Sequence, residues 1–309
     1  MTTAVPAPSA GASSGAPSGR AARTQSPFWR NMRKFADNRL ALASGVVVVL
    51  FVVMAVAAPL IAPHDPNATD LFRRLQPPAW MAGGEWAYPL GCDALGRDIL
   101  SRIIYGARIS IFIGTAVILV ATTIGILAGL AAGYLRGWVD TAISRVVDIL
   151  LAFPYLIFAI GLMAMMGPGL SNIVIALAYK EWVIPCRVVR GETLAAREME
   201  YVEAARALGA GRARIMWREI LPNILSPVVV VSTIRMANVI ILEASLSFLG
   251  LGVQPPTASW GSMVADGRAF MLEAWWVSTF PGLAILLLVL SLNVASQGLR
   301  DAFDPKFHD

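Results

Sequence analysis

The residues best suited to contact a partner protein lie in one basic, small-residue segment, 201–223, which reads YVEAARALGAGRARIMWREILPN. Its arginines and glutamate can offer charge to a partner or to lipid headgroups, and its alanines give a thin surface that can seat deeply in a groove. The alternative is a solvated basic loop, because loops beside a membrane carry Lys and Arg for topological reasons alone. The contact hypothesis rests on Glu203, on the alanines Ala204, Ala205 and Ala207, and on the arginines Arg206, Arg212, Arg214 and Arg218.

Four ionisable residues interrupt apolar stretches: Lys180, Glu181, Arg235 and Glu243. A charge in the middle of a membrane span costs about 2.5–3.5 kcal/mol on the insertion scale, and such residues usually face a bundle interior or a water-filled cavity. One interpretation is that they line a polar path through the membrane. The alternatives are ion pairs between helices, or side chains that snorkel to the interface from span ends lying a turn away.

Catalytic chemistry has little to use in this sequence. It contains no G-x4-G-K-[ST] phosphate loop, no H-E-x-x-H pair and no cluster of metal ligands. An intramembrane enzyme would need a Ser–His or Asp–Asp pair within its spans, and neither His64 nor His308 falls in a predicted span. The chain is therefore predicted not to be an enzyme and to hold no cofactor or metal. If it belongs to a pump, a partner must hydrolyse the ATP.

The composition indicates a membrane protein. Of the 309 residues, 57% are hydrophobic and only 15% are charged, whereas a soluble domain carries about 25% charged residues. Apolar segments of spanning length must be helices, because lipid offers backbone groups no hydrogen-bond partner. The sequence predicts an all-α membrane protein with six such helices, at residues 41–62, 109–133, 146–166, 172–190, 224–246 and 277–297.

The basic residues predict the orientation. With the N-terminus in the cytoplasm, most Lys and Arg residues fall on the inner side, as the positive-inside rule expects. The net charge of +5 therefore requires no nucleic-acid partner. Both termini and the 201–223 loop are predicted to be cytoplasmic. Residues 1–27 are predicted to be a disordered tail, 28–40 a basic segment on the inner membrane surface, and 41–309 the transmembrane domain.

The 201–223 loop is predicted to contain two short helices at an angle. Residues 203–208 form the first, and Gly209 ends it because glycine tolerates the left-handed conformation of a helix C-cap. Residues 212–219 form the second. Pro222 then opens the fifth span, since a proline in the first turn of a helix loses no hydrogen bond.

A second helix is predicted on the outer side, at residues 93–105. Asp93 can cap its start, and Asp98 and Arg102 form an i,i+4 pair. Its apolar residues recur at helical spacing, so it is expected to lie on the outer membrane face. The Gly- and Pro-rich stretch 250–261 is expected to be a surface loop that could help to receive a substrate, or a plain connector.

Two smaller features concern packing. Gly125, Gly129 and Gly133 lie four residues apart on one face of the second span, which favours close contact with a neighbouring helix over a ligand site. Cys92 and Cys186 are predicted at different depths of a bilayer about 30 Å thick. They are therefore expected not to form a disulfide.

Four stretches resemble permeases of ATP-binding cassette (ABC) importers. Residues 203–209, EAARALG, with Leu221-Pro222 twelve residues after the glycine, resemble the EAA loop, although Glu219 stands where that pattern usually has isoleucine. Residues 90–102, LGCDALGRDILSR, resemble the LGTDxxGRDxxSR signature of dipeptide, oligopeptide and nickel permeases, with Cys92 in place of threonine. Residues 244–261 are similar to the outer loop of that family. Residues 298–306, GLRDAFDPK, are similar to its C-terminal GLRDALDPK, with Phe303 in place of leucine.

The resemblance covers about residues 28–307 and is nearest to the C-type subunit of dipeptide importers. It implies the ABC type I importer permease fold, with a cytoplasmic coupling helix in the 201–223 loop. The residues that the resemblance implies for ATPase coupling are Glu203, Ala204, Ala205, Gly209, Arg212, Arg214, Leu221 and Pro222. The resemblance also implies a bacterial inner-membrane subunit that couples ATP hydrolysis by partners to the alternating access of a path for dipeptides or short peptides. Four residues of the signature form the implied outer-face motif: Asp93, Gly96, Arg97 and Asp98.

The resemblance further implies a set of partners. These are a second homologous permease, two ATPase subunits that bind ATP and Mg²⁺, an extracytoplasmic peptide-binding protein and the lipid bilayer. Importers of nickel, glutathione or longer oligopeptides on the same scaffold are the alternatives. A membrane scaffold protein is the alternative from a different class, but a scaffold would not need a coupling loop with this spacing.

Overall fold

The structure is a computed structural model, and it describes residues 35–303. The predicted tail 1–27, most of the basic segment 28–40 and the last six residues lie outside the described residues. Within residues 35–303 the regular elements are helices, and the loops between them contain one isolated bridge, between Cys92 and Asp98. The predicted all-α class is confirmed.

The helices connect two ends of a bundle. The end with residues 57–98, which includes the signature, is called the motif end, and the opposite end, with residues 197–215, is called the loop end. Short helical turns at Ala58–Ile61, Leu71–Arg73 and Arg268–Phe270 lie in the loops of the motif end. The helices are α1 (Arg39–Val56), α2 (Ile99–Leu135), α3 (Gly137–Ala152), α4 (Tyr155–Met166), α5 (Leu170–Glu181), α6 (Val183–Ala196), α7 (Glu200–Ala207), α8 (Arg212–Phe248), α9 (Trp260–Gly267) and α10 (Trp276–Phe303).

Four of these helices, α1, α2, α8 and α10, are long and apolar enough to cross a membrane. The pair α3 and α4 makes a fifth candidate span, bent by 91°. The stretch predicted as the fourth span, 172–190, lies in α5 and α6, which have 12 and 14 residues and meet at Trp182. Each of these two helices is shorter than the roughly 20 residues that one span needs.

A proline causes the right-angle bend between α3 and α4. Phe153 is extended, with φ −89° and ψ 135°, because the ring of Pro154 disfavours the helical conformation in the residue before it. The break leaves backbone carbonyls without helical partners. Lys180 Nζ donates a hydrogen bond to the Phe153 carbonyl and lies 5.4 Å from the ring centroid of Tyr155. Lys180 thus satisfies a backbone group that lipid could not.

Helix α2 is one of two 37-residue helices that link the two ends, the other being α8. Its 37 residues span about 55 Å at 1.5 Å per residue, which exceeds the roughly 30 Å hydrocarbon core of a bilayer. It begins at Asp98, whose side chain accepts hydrogen bonds from the backbone N–H groups of Leu100 and Ser101. Part of α2 must therefore extend beyond the hydrocarbon core, where it contacts the loops.

The three glycines of α2 pack directly against α6, as predicted. A Cβ on Gly125 would lie 2.6 Å from Pro185 Cβ, and a Cβ on Gly129 would lie 2.7 Å from the Cys186 carbonyl oxygen. A Cβ on Gly133 would lie 2.7 Å from Thr193 Cβ. The two backbones approach too closely for any larger residue. Close helix contact of this kind is the main source of attraction between helices in lipid.

Gly129→Ala is expected to destabilise the protein by about 2 kcal/mol, because the added methyl group overpacks the contact between α2 and α6. Gly161→Ala in α4 is the matched control, since a Cβ there meets nothing within 4 Å. The control is expected to be neutral or slightly stabilising. Thermal unfolding of the detergent-solubilised chain, followed by size-exclusion chromatography, measures both. Equal midpoints for the two variants would contradict the packing argument.

Candidate functional site

The polar residues of the 90–102 signature form a buried network at the motif end. The Asp93 carboxylate accepts hydrogen bonds from Arg97 Nε at 2.6 Å and from the backbone N–H groups of Leu95 and Arg97 at 2.8 and 3.0 Å. Arg102 Nε lies 3.7 Å from the same carboxylate, and its Nη1 donates to the Pro66 carbonyl at 3.1 Å. Asp93, Arg97 and Arg102 are each at most 8% exposed. The opposite charges compensate one another, and their hydrogen bonds to the backbone fix the conformation of the loops around Asp93 and Pro66.

Two predictions about this signature are wrong in detail. Asp98, and not Asp93, caps the helix, and residues 99–105 are the first turns of α2, a 37-residue candidate membrane span, and not a separate surface helix. Arg102 pairs with Asp93 and not with Asp98. The reason is that the Asp98 carboxylate already serves the helix cap and accepts a hydrogen bond from Ser101 Oγ at 2.6 Å.

His64 joins the same network, although the sequence offered no signal for it. Its Nδ1 lies 3.2 Å from Asp98 Oδ2, and its backbone N–H donates to Ser101 Oγ at 3.0 Å. Its ring stacks on Tyr88 with centroids 4.4 Å apart. These contacts close the long loop after α1 onto the start of α2. Within residues 35–303 no group of three His, Cys, Asp or Glu residues is placed to hold a metal ion.

Gly96 supplies a turn that no other residue could make. Its φ is +71°, and a Cβ would lie 1.8 Å from the Asp70 carbonyl oxygen. The turn also lets Arg97 Nη2 reach within 3.6 Å of Asp266 in α9. Burial raises the pKa of the Asp266 carboxyl, and the charge of Arg97 opposes that rise. The signature therefore ties the loop after α1 to the loop that precedes α10.

An open cleft of about 820 Å³ lies beside this network. Its walls come from residues 59–67, from the first turns of α2, from Leu170 at the start of α5 and from residues 257–258. Arg108 stands on one wall, exposed, with its guanidinium 5.9 Å from the ring centroid of Tyr105. The cleft thus offers a cationic group and hydrogen-bonding groups at the motif end.

At the loop end, α7 is a short helix with a glycine-capped end, as predicted. The N–H of Gly209 donates to the Arg206 carbonyl at 3.0 Å, and the N–H of Ala210 donates to the Ala205 carbonyl at 3.0 Å. This pair of bonds is a Schellman motif, and Gly209 takes the left-handed φ of +80° that the motif needs. Glu203 and Ala204 are exposed, and Ala205 is half-buried.

The second predicted helix of the loop is not separate, so that prediction is wrong. Arg212 and Arg214 lie in the first turn of α8, which continues to Phe248 as one helix. Residues Ile215–Ile220 form a π-helical turn. In a regular α-helix the ring of Pro222 would collide with the carbonyl four residues earlier, and the wider π turn relieves this clash. Leu221 and Pro222 therefore lie within the continuous α8, where they begin its regular α-helical part, Leu221–Phe248, with the proline in the first turn as predicted.

Leu208 was missed by the sequence reasoning. It is 89% exposed at the tip of α7, immediately before Gly209. Val202 on the opposite face is buried against Ile215 and Ile220 of α8. An apolar residue directly before a C-cap glycine was the available signal. The tip of α7 presents Leu208, Ala204 and Ala207 outward while α8 supports it from behind.

The four ionisable residues within the helices are not brought together as one group. Glu181 of α5 and Arg235 of α8 form a bidentate ion pair, with a second contact of 3.0 Å between Arg235 Nη2 and Glu181 Oε2. Glu243 accepts hydrogen bonds from Ser110 Oγ at 3.1 Å and from Ser247 Oγ at 2.8 Å. Lys180 serves the break at Phe153. Each therefore has a partner within the chain, and Arg235 alone keeps a partly exposed side chain.

The bundle of long apolar helices, the broken span and the supported helix at one end define a multi-span membrane component of a transporter. The chain belongs to the family described as binding-protein-dependent transport system inner membrane component, whose model matches residues 121–309. A second model, for the N-terminal TM domain of oligopeptide transport permease C, matches residues 26–78. The resemblance found from the sequence is thereby confirmed.

Curated relatives match over most of their length. The chain is 43% identical to the di/tripeptide transport system permease protein DppC of Pseudomonas aeruginosa (strain UCBPP-PA14), covering 90% of this chain and 91% of that protein. It is also 43% identical to the glutathione transport system permease protein GsiD of Pectobacterium atrosepticum, covering 90% of each. Among solved structures, the inward-facing MetNI methionine ABC transporter matches with a TM-score of 0.54 at 18% identity. That match covers 66% of this chain and 97% of that chain, and it confirms the importer permease fold.

The Cys92 thiol is expected to resist alkylation. Burial raises its pKa to about 12, and only the thiolate reacts. In a Cys186→Ala variant, the iodoacetamide labelling rate should therefore keep rising about tenfold per pH unit from pH 7 to pH 10. The denatured chain is the control, and its rate should level off near pH 8.5. Rapid labelling of the folded chain at pH 7.5 would show that the Cys92 thiol is not buried with a raised pKa.

Glu181→Gln is expected to cost about 3 kcal/mol of stability, because it leaves the Arg235 guanidinium without its partner between α5 and α8. The double variant Glu181→Gln/Arg235→Gln should regain at least half of that loss. Glu200→Gln, on the exposed face of α7, is the control. Thermal unfolding of the unchanged chain, Glu181→Gln, Arg235→Gln, the double variant and the control measures the coupling between the two sites. Additive effects of the single changes would mean that the ion pair contributes nothing.

Proposed function

We propose that this chain is the transmembrane permease subunit of an ATP-driven ABC importer for dipeptides or other short peptides. The names of its relatives favour this substrate class, since a di/tripeptide permease is 43% identical over nearly its whole length. The chain binds no nucleotide in this proposal. ATP and Mg²⁺ belong to two partner ATPase subunits, and a second homologous permease supplies the other half of the pore in a bacterial inner membrane.

The observation that carries the proposal is the supported, outward-facing tip of α7. A helix that transmits force must be exposed on one face and held rigidly on the other. Leu208 and the small residues Ala204 and Ala207 offer the exposed face, and Val202 is clamped against α8. Because α8 runs without interruption from the loop end to the motif end, a push on α7 by a closing ATPase reaches the opposite membrane surface.

The orientation of the chain follows from the same assignment. The loop end, with Glu203 in α7 and with Arg212 and Arg214 beside that helix, faces the cytoplasm, and so do both termini. The motif end faces an extracytoplasmic peptide-binding protein. The open cleft beside His64 and Arg108 then lies on the extracytoplasmic side, where the binding protein would deliver its substrate. During alternating access, α8 would change the contacts that it makes with neighbouring helices through Arg235 and Glu243.

A glutathione importer is the second candidate, because a glutathione permease is as similar in sequence as the dipeptide permease. Both substrates are short peptides, and the chemistry of this chain does not separate them. Nickel and longer oligopeptides remain further alternatives on the same scaffold. In each case the binding protein, and not the permease, would do most of the selecting.

Leu208→Glu is expected to lower the amount of ATPase that copurifies with the tagged full-length chain about tenfold, because a charge would enter an apolar contact. Leu272→Glu is the matched control, since Leu272 is 101% exposed at the motif end. The measurement is quantitative mass spectrometry of the proteins retained from native membranes. Recovery of the unchanged chain alone or as a homomer, without any ATPase, would refute the importer proposal and favour a membrane scaffold.

The same preparation tests the substrate. With its binding protein, the reconstituted complex is expected to increase ATP hydrolysis when alanyl-alanine is added. A response to glutathione alone would replace the dipeptide assignment with the second candidate. A response to Ni²⁺ alone would overturn the peptide assignment as a whole.

A further inference from the structure

A basic cavity of about 390 Å³ lies at the loop end, next to α7. Three arginines from three places in the chain line it: Arg197 from the α6–α7 junction, Arg206 from α7 and Arg212 from the start of α8. Tyr134 at the end of α2 and Ile215 of α8 also contribute to its walls. The cavity therefore lies where α7, the end of α2 and the start of α8 meet.

The charges of this cavity are not compensated within the described part of the chain. Its lining contains no Asp or Glu, and none of the three arginines makes an ion pair with another residue of 35–303. Other arginines at this end do have acidic partners, for example Arg136 with Glu198 at 2.7 Å and Arg190 with Asp140 at 2.6 Å. Three like charges around one concavity repel one another, so an anion that enters it is favoured.

One of the three guanidinium groups is held in place. Arg197 Nη1 donates to the Tyr134 carbonyl at 2.8 Å, and the guanidinium lies 5.7 Å from the ring centroid of Tyr134. Tyr134 and Ile215 are almost fully buried, so the floor of the cavity is formed by packed side chains. Arg206 and Arg212 are exposed at the rim. This combination of a packed floor and a guanidinium rim is more specific than a scatter of basic residues beside a membrane.

We propose that this cavity binds a phosphate group. Guanidinium groups form paired, charge-assisted hydrogen bonds with phosphate oxygens, and several forks around one concavity suit a tetrahedral anion. Basic pockets at the cytoplasmic ends of membrane helices also bind phospholipid headgroups. The phosphate comes either from an anionic lipid or from a soluble phosphate compound. Bound there, it bridges Arg197, Arg206 and Arg212 and so fixes α7 against α2 and α8.

The test uses the full-length chain in nanodiscs and compares two double variants. Arg206→Gln/Arg212→Gln removes two cavity arginines. Arg214→Gln/Arg218→Gln removes the same charge from exposed neighbours that do not line the cavity. One arm uses discs of phosphatidylcholine, either alone or with about one lipid in three replaced by phosphatidylglycerol. Native mass spectrometry then measures how much phosphatidylglycerol the protein retains. The other arm titrates inorganic phosphate into phosphatidylcholine discs and measures the thermal midpoint.

The unchanged chain and the Arg214/Arg218 variant are expected to bind about tenfold more tightly than the Arg206/Arg212 variant. Retention of phosphatidylglycerol without a response to inorganic phosphate identifies a lipid headgroup, and a rise in midpoint with inorganic phosphate identifies a soluble source. An equal loss in both double variants overturns the proposal, as does an equal response to chloride at the same ionic strength. Neither result bears on the ATPase recovery that tests the importer assignment.

Discussion

The close contact between α2 and α6 keeps the two ends of this protein at a defined distance. Gly125, Gly129 and Gly133 let the backbones meet without intervening side chains, and in lipid such contact is a principal source of helix association. Helix α2 begins in the network around Asp98 and ends at Leu135, and its last two residues line the basic cavity. The loop end depends directly on this packing arrangement, and the continuous α2 connects it to the motif end.

Charged residues are buried and paired at the motif end, whereas several are exposed at the loop end. At the motif end, Arg97 and Arg102 are buried around Asp93, because a charge removed from water needs a compensating partner inside the protein. At the loop end, Arg206 and Arg212 remain exposed and are free to meet groups from outside the chain. The first arrangement is suited to holding long loops in a fixed shape. The second is suited to a surface that contacts other molecules.

Those parts of the candidate site that depend on local geometry could be predicted from the sequence. The helix before Gly209 follows from glycine's left-handed conformation, and the glycine stripe follows from a four-residue period. The ion pair of Glu181 with Arg235 could not be predicted in the same way, because 54 residues separate the partners. Nor could the contact of His64 with Asp98. For the ionisable residues within the helices, the sequence left both a path role and an ion pair between helices open.

The sequence by itself determined that this chain is an all-helical membrane permease with a glycine-capped helix in a basic loop. Composition, period and local motifs express constraints that each segment obeys alone, above all the need of backbone groups in lipid for internal hydrogen bonds. Only the tertiary structure decided that α8 continues through Pro222, that Asp98 begins α2 and that three arginines share one cavity. These features arise from how distant segments pack and compete for the same polar partners, and no local pattern records that competition.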